Sequence, residues 1–462
     1  MNKVKGIVVA APGSGQGKTT VTLALLSALS QRGLQVAPFK VGPDFIDPGH
    51  HTRITGRTSR NLDGWMLTRE VNQDIFERGA QGAEIAVVEG VMGLYDGYDG
   101  ASEAGSTAQL AKWLGLPVLL VVDARSMARS FAALVQGFMD FDPECGFCGV
   151  IANNVGSQRH LEYLDQAVAD KPKIRLLGGI PRNAGVEIPG RHLGLYTAED
   201  MVLTREMIHD LARLAENHLD LDALVSSLPQ TTVPERKEAT ALTSEVRIGV
   251  PRDRAFCFYY QDNLDVLRLS GCEIVYFSPL GDPSLPDNLH GLYLGGGYPE
   301  LYARDLAANT GMLRQIQKAC DLGMPVYAEC GGFMYLCRAL VDQSGQSFNM
   351  AGVFPLVSRM QERFAALGYR EVQMTGATPL GPPGTRARGH EFRYSRLEEQ
   401  EQIAGGTQVY GATDKSGAER SCPGWLKNNC LGSYVHLHFR SNPDIGRYFF
   451  LACLEHKEQM SG

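Results

Sequence analysis

The sequence predicts an α/β protein built from two open parallel-sheet domains. Three observations predict it. The first half alternates amphipathic stretches with the β-branched apolar runs GIVVAA, LQVAPFK, AEIAVVEG, LPVLLVVDA and FCGVIANN. Runs that are apolar on both faces mark strands of a parallel sheet covered by helices on each side. A second series begins at VRIGVPRD and continues through CEIVYFSPL, GLYLGGGYPELY, MPVYAECGG and GSYVHLHF. Between the two series lies LPQTTVPERKEATALTSE, which is polar, contains two prolines and has no apolar period. The expected domains are therefore 1–228 and 246–462, joined by a linker at 229–245. The stretch from about 345 to 430 is richer in Gly, Pro and polar residues and predicts a β-rich insertion.

Bulk properties narrow the function. A chain of 462 residues has room for two or three domains with sizeable cores. A net charge of -7 argues against generic nucleic-acid binding, which needs a basic face. No apolar run has the length of a membrane span. The start, MNKVKGIVVAAPGSG, has the charge pattern of a signal segment, but its apolar core is too short and runs into a glycine-rich loop. It predicts a buried first strand. Ten cysteines in so long a chain are not a disulfide scaffold, and the cytoplasm is the expected compartment. Cys145 and Cys148 form a CxxC with no second pair, which reads as coincidence.

The first strand ends in GSGQGKTT, and TVTLALLSALSQRG behind it has a helical pattern with glycine just past its end. Glycines at 13, 15 and 17 let successive backbone N–H groups point at phosphate oxygens. Lys18 supplies a point charge to the β- and γ-phosphates, the Thr19 hydroxyl is a Mg²⁺ ligand, and Thr20 follows in the first helical turn. Pro12 stands where the strict GxxxxGK[ST] pattern has glycine, so this is a deviant phosphate loop. Ligands of open α/β sheets lie at the carboxyl ends of strands. KVGPDFIDPGHH places Lys40, Asp44, Asp47, His50 and His51 there, and VVEGVMGLYDG places Glu89 and Asp96. One or two carboxylates, one hydroxyl and phosphate oxygens suit Mg²⁺. Glu89 is the expected metal ligand, with Asp47 or Asp44 as its partner. Asn153 ends another strand, where its amide could read an adenine edge.

In MPVYAECGGFMYL an apolar run ends at Cys330, followed by two glycines and a helical pattern. That is a strand, a sharp turn and a helix with a thiol at the apex. Free backbone N–H groups and a helix N-terminus beside the sulfur are expected to favour thiolate and to hold an oxyanion when it attacks a carbonyl. Gly295, Gly296 and Gly297 end another strand and, with Gly331, are candidates for that pocket. His436 and His438 stand two apart on a late strand and share a face, so either could be the base for the thiol.

In chain order, GSGQGKTT, KVGPDFIDPGHH, NLDGWM, VVEGVMGLYDG, IPGRHLGL, LGGGYPELY, YAECGGFMYL and YVHLHF make the chain resemble the cobyrinate a,c-diamide synthase family over essentially its whole length. The resemblance implies an N-terminal P-loop ATPase of the dethiobiotin-synthetase kind. It also implies a C-terminal class I glutamine amidotransferase domain of flavodoxin-like fold. Cys330 would form a γ-glutamyl thioester and His436 would match the amidotransferase histidine. The wider superfamily has a glutamate two positions later, where this chain has His438, so the resemblance implies a Cys–His dyad. ATP would phosphorylate a substrate carboxylate and ammonia would attack the acyl phosphate. Lys40, Asp44 and Asp96 would serve substrate and activation. Arg191 and His192 would meet carboxylates of a tetrapyrrole. The implied partners are a tetrapyrrole polycarboxylate, glutamine and ATP, with Mg²⁺ as cofactor and a homodimer as the assembly to test for. Ni-sirohydrochlorin and hydrogenobyrinate a,c-diamide synthases share this architecture, and cobyric acid synthase resembles it. A partitioning ATPase with a ligand-binding second domain is the alternative from another class.

Overall fold

The computed structural model describes residues 2–182, 203–235, 246–398 and 406–461. The chain divides into two compact units, Met1–Lys237 and Glu238–Gly462. Among the described residues no helix is long and apolar enough to cross a membrane.

The first unit is built on β1 (Asn2–Ala10), β2 (Val36–Val41), β3 (Arg60–Leu62), β4 (Ile85–Glu89), β5 (Val118–Asp123), β6 (Phe147–Val155) and β7 (Leu176–Pro181). They lie in the order β3-β2-β4-β1-β5-β6-β7 and all these neighbours run parallel. Helix α1 (Lys18–Gln31) leaves β1, and α2 (Ile46–Thr55) follows β2. The expected runs are buried because helices cover both faces. Ile7, Val9, Val87, Val121 and Ile151 pack with Val21, Leu25 and Leu29 of α1. This order makes β2, β4 and β1 neighbours. Register sets Lys40 beside Glu89, and Glu89 beside Val9, three residues before Pro12. The phosphate loop and the acidic strand ends thus share one edge of the sheet.

One boundary differs from expectation. β8 (Gln230–Val233) pairs antiparallel with β1, from Asn2 opposite Val233 to Lys5 opposite Gln230. The linker therefore does not begin at 229. β5 reaches only Val8–Ala10, so the first residues of β1 have unpaired backbone groups on that side, and β8 takes them up. The prolines at 229 and 234 bracket this short strand, a position that costs no ladder hydrogen bond.

The second unit has β9 (Val246–Pro251), β10 (Cys272–Phe277), β11 (Gly291–Leu294) and β12 (Val326–Glu329). With the strand Cys430–Ser433 they form a parallel sheet in the order β10-β9-β11-β12-(430–433). The β-rich insertion exists: Ala366–Met374, Arg386–Arg393 and Tyr410–Thr413 belong to a separate antiparallel sheet. It also captures part of the last run. GSYVHLHF is not one strand: Cys430–Ser433 joins the parallel sheet, and Val435–Leu437 joins the antiparallel one, with His436 opposite His390. His438 lies beyond that strand, and its ring nitrogen accepts from the Arg440 N–H at 3.3 Å as the cap of a short 3-10 turn. His436 and His438 still face one group of side chains, His436 against His390 and His438 against Tyr260, with centroids 4.9 and 4.6 Å apart.

Because Leu25 is fully buried beneath the sheet, Leu25→Ala should cost about 2–5 kcal/mol of the first unit's stability, read as a lower urea midpoint.

Candidate active sites

The glycine-rich loop is held by the strand ends around it. Lys18 is buried and its ammonium donates to the Gly13 carbonyl at 3.1 Å and to the Met92 carbonyl. Burial, with Lys40 nearby, holds its pKa below the ordinary lysine value. Gly15 and Gly17 sit at φ 76 and 94, the left-handed region that favours glycine. A Cβ at Gly17 would also lie 2.1 Å from Asn153 Nδ2. Asn153 is that close because its amide donates to the Gln16 carbonyl at 2.9 Å, while Gln16 Oε1 accepts from the Asp123 N–H at 2.9 Å. The amide expected to read adenine is thus engaged in fastening the loop: β5 and β6 end beside it and need its carbonyl paired.

Glu89, fully buried, is the centre of the acidic cluster. One oxygen accepts from Thr19 at 2.6 Å and Lys40 at 3.0 Å, and the other pairs with His51 Nε2 at 2.8 Å. Lys40 also donates to Asp47 at 2.6 Å and lies 3.8 Å from Asp44. Burial alone would depress the Lys40 ammonium, but Glu89, Asp47 and Asp44 outweigh it and raise it. Burial alone would raise Glu89, yet Lys40 and His51 hold it below the usual carboxylate range. Burial, with Asp44 and Glu89 close by, pushes Asp47 up to about 8 in spite of Lys40. Lys40 therefore serves Glu89 first, leaving Asp47 the proton-binding member. Asp44 accepts from the Ile46 and Asp47 N–H groups at 2.8 and 3.2 Å and so fixes the start of α2. Asp96 is exposed and accepts from the Gly93 N–H at 2.9 Å. Reading the sequence left His51 without a role; its spacing of one turn from Asp47 on α2 was the available signal.

These residues fit a hard cation shared with phosphates. Thr19 and Glu89 present oxygen donors already 2.6 Å apart. Among the described residues no cluster of three or more His, Cys, Asp or Glu could hold a metal by protein alone. Mg²⁺ keeps waters and takes phosphate ligands beside one or two protein oxygens, which is the donor set Thr19 and Glu89 offer. Arg191 and His192 lie outside the described residues.

In the second unit Cys330 sits at φ 43, ψ -101 between β12 and the helix Gly331–Leu336, and its N–H donates to Ser433 at 2.8 Å. Such a turn is strained for any residue with a Cβ. A Cβ on Gly331 would lie 2.9 Å from Gly297 N, and one on Gly296 would lie 2.3 Å from His436 Cε1. The glycine run is thereby packed between the residue after the cysteine on one side and the imidazole on the other. The thiolate expectation needs correcting. Burial, with Glu300 nearby, pushes the Cys330 thiol up to about 12, and the hydrogen bond from the Gly331 N–H pulls the other way without prevailing. The following helix has only six residues, too short for a strong dipole. Burial lowers His436 to about 3, so the imidazole is neutral. The resting pair is uncharged, so any reaction at the sulfur would require the thiol proton to move.

Around His436 is a layer that was not read from the sequence. His390 stacks on it with centroids 4.9 Å apart, and Tyr260 is 2.8 Å from His390 Nδ1. Glu329 lies 3.8 Å from His436 Nδ1. Its carboxyl group accepts from Tyr327 at 2.7 Å, Tyr293 at 2.9 Å and the Leu437 N–H at 2.9 Å.

Two outcomes follow from this geometry. Gly17→Ala should weaken ATP binding by about tenfold or more, measured by calorimetry, because strain and the Asn153 clash fall on the loop itself. Alkylation of Cys330 in the free protein, followed on its own peptide by mass spectrometry, should still be climbing at pH 9, because a raised pKa keeps the thiolate fraction small throughout that range.

Comparison with known proteins agrees with both halves. Residues 7–195 match a family model described as the CobQ/CobB/MinD/ParA nucleotide binding domain, and residues 247–444 match the CobB/CobQ-like glutamine amidotransferase domain. The chain is 40% identical over 98% of its length to the cobyrinate a,c-diamide synthase of Leptospira interrogans serovar Lai, covering 99% of that protein. It is 44% identical over 96% of its length to the Salmonella typhimurium enzyme of that name, covering 97% of it. The corresponding figures for the Syntrophotalea carbinolica enzyme are 42%, 97% and 98%. With likeness of this depth running through both units, the chain belongs to the cobyrinate a,c-diamide synthase family.

Proposed function

We propose that this protein amidates the a and c side-chain carboxylates of cobyrinate, a step of cobalamin biosynthesis, using ATP and ammonia drawn from glutamine. The observation that carries this reading is the presence, in one chain with full-length relatives of that name, of a phosphate loop beside a buried carboxylate cluster and a glycine-lined cysteine turn beside a neutral histidine.

In the second unit the sulfur of Cys330 attacks the carboxamide carbon of glutamine while His436 takes the thiol proton. The N–H groups of Gly331 and Gly297 receive the oxyanion, while Gly296, whose N–H donates to the Phe258 carbonyl at 3.3 Å, lines the pocket, and His436 returns the proton to the departing ammonia. Water then hydrolyses the γ-glutamyl thioester to glutamate. In the first unit the Gly13, Gly15 and Gly17 loop, with Lys18 and Thr20 at the helix start, holds the triphosphate. Thr19, Glu89 and Asp47 would hold Mg²⁺, which supplies charge neutralisation on the phosphates. Lys40 and His51 keep Glu89 anionic for that purpose. A carboxylate is a poor electrophile. Transfer of the γ-phosphoryl group makes it a mixed anhydride with phosphate as leaving group, which ammonia displaces. Asp44, Asp96, Arg191 and His192 are assigned to substrate and activation, and Asn153 to the nucleotide end of the loop. All ten cysteines are free thiols, which fits a reducing cytoplasm.

The direct test is incubation with cobyrinate, ATP, Mg²⁺ and glutamine, reading replacement of one hydroxyl by one amino group at each of two carboxylates by mass. Ni-sirohydrochlorin and hydrogenobyrinate serve as competing macrocycles, and preference for either would replace the substrate assignment. Cys330→Ala should lose glutamine use but keep amidation with high ammonia. Lys18→Ala should abolish amidation from either nitrogen source, because activation precedes amine attack.

A further inference from the structure

We infer that Glu329, the residue immediately before the nucleophile, is the positioning carboxylate for His436, taking the part of the glutamate absent from the position two residues after that histidine. The inference rests on the reading of Cys330 and His436 given above.

Four observations carry it. Glu329 Oε2 faces His436 Nδ1 at 3.8 Å, and among the described residues His436 is its one ion-pair partner. With Nδ1 turned toward a carboxyl group, Nε2 is the ring nitrogen left for the thiol; at 3.8 Å the contact is longer than a hydrogen bond, so at rest it orients the ring rather than fixing its tautomer. Second, the same carboxyl group accepts the backbone N–H of Leu437, the residue next to His436, at 2.9 Å. Glu329 ends β12, from which Cys330 turns out, so one side chain ties the nucleophile's strand to the histidine's strand.

Third, the carboxyl group cannot swing away. Tyr293 donates to Oε2 at 2.9 Å and Tyr327 to Oε1 at 2.7 Å, and Glu329 is 1% exposed. Asn263 extends the clamp: its amide donates to Tyr293 at 3.2 Å and to the Leu437 carbonyl at 2.8 Å, and its oxygen accepts from the Phe439 N–H at 2.8 Å. Fourth, the alternative position is occupied by a residue with another task, since His438 caps the following turn. In the resting protein His436 is neutral and needs no counter-charge. Burial pushes the Glu329 carboxyl up to about 8 in spite of its three donors; when His436 takes the thiol proton, the imidazolium that forms in this fully buried place favours the ionised carboxylate beside it. A separation of 3.8 Å at rest is of the kind that tightens in the reacting complex.

A purely structural clamp would predict lost stability. A positioning carboxylate predicts lost turnover that depends on His436. Glu329→Gln keeps the size and the oxygen that accepts from Leu437 but removes the capacity to ionise. The expected result is a glutamine-dependent kcat lowered about 100-fold or more, with KM for glutamine within about threefold and the urea midpoint held. In a His436→Ala background the same substitution should add no further loss in the rate of thioester formation at Cys330, because the carboxylate acts through the missing ring. A kcat within about threefold of the parent, or losses that multiply fully in the double variant, would overturn the inference. Should Glu329→Gln not fold, Tyr293→Phe removes the donor on the oxygen that faces His436. It should lower kcat about 3- to 10-fold in the parent and not at all with His436→Ala; equal losses in both would overturn it. Glutamine consumption by Cys330→Ala would sink the thiol reading itself. Loss in Cys330→Ala with no effect of Glu329→Gln would sink only the role of Glu329.

Discussion

Backbone N–H groups at the end of a parallel strand can serve a ligand only where no side chain stands in front of them. Both sites in this protein depend on that steric constraint. At the first, Gly17 must be bare because Asn153 occupies the space a Cβ would need. At the second, Gly296 must be bare because the His436 ring lies on it, and Gly331 because Gly297 does. The glycines are thus close-approach positions, for the phosphate loop against Asn153 in the first unit and for the glycine run against the imidazole in the second.

The two sites handle buried charge in opposite ways. In the first unit Glu89 is kept ionised by Lys40 and His51, at the expense of Asp47, which burial and its acidic neighbours push up to about 8. A permanent anion there suits a site that receives a cation with its nucleotide. In the second unit burial leaves both reacting groups neutral, Cys330 at about 12 and His436 at about 3. A neutral pair avoids the cost of two buried ions and keeps the thiol from reacting before a carbonyl is in place. In the proposed reaction, charge separation would be met where it forms, by N–H groups around the oxyanion and by a Glu329 carboxyl, raised to about 8 by burial, that an imidazolium beside it would draw into its ionised form.

Much of this was legible in the chain. The doubly apolar runs gave the two parallel sheets, and GSGQGKTT and AECGG located the two strand-to-helix turns. Glu89, Asp47, Lys40 and Thr19 were legible because each follows a strand run, and strand ends converge in an open sheet. Legibility failed wherever pairing partners lie far apart in sequence. The short strand after Pro229 looked like linker, since four residues carry little period and their partner is at the other end of the domain. GSYVHLHF looked like one strand, since nothing local shows that an insertion claims its second half. Asn153 looked like a base reader and is engaged in fastening the loop.

Sequence by itself determined which backbone turns carry chemistry, because glycine, cysteine and lysine at fixed offsets from a buried strand restrict conformation locally. It also determined the family, through motifs in a fixed order. Only the tertiary structure decided how charge is distributed. Whether a carboxylate ionises and whether a thiol is thiolate depend on burial and on neighbours, some of them distant in sequence, as Lys40 and His51 are from Glu89. So does the choice of the group that faces the imidazole. Those distances close only when the strands pair.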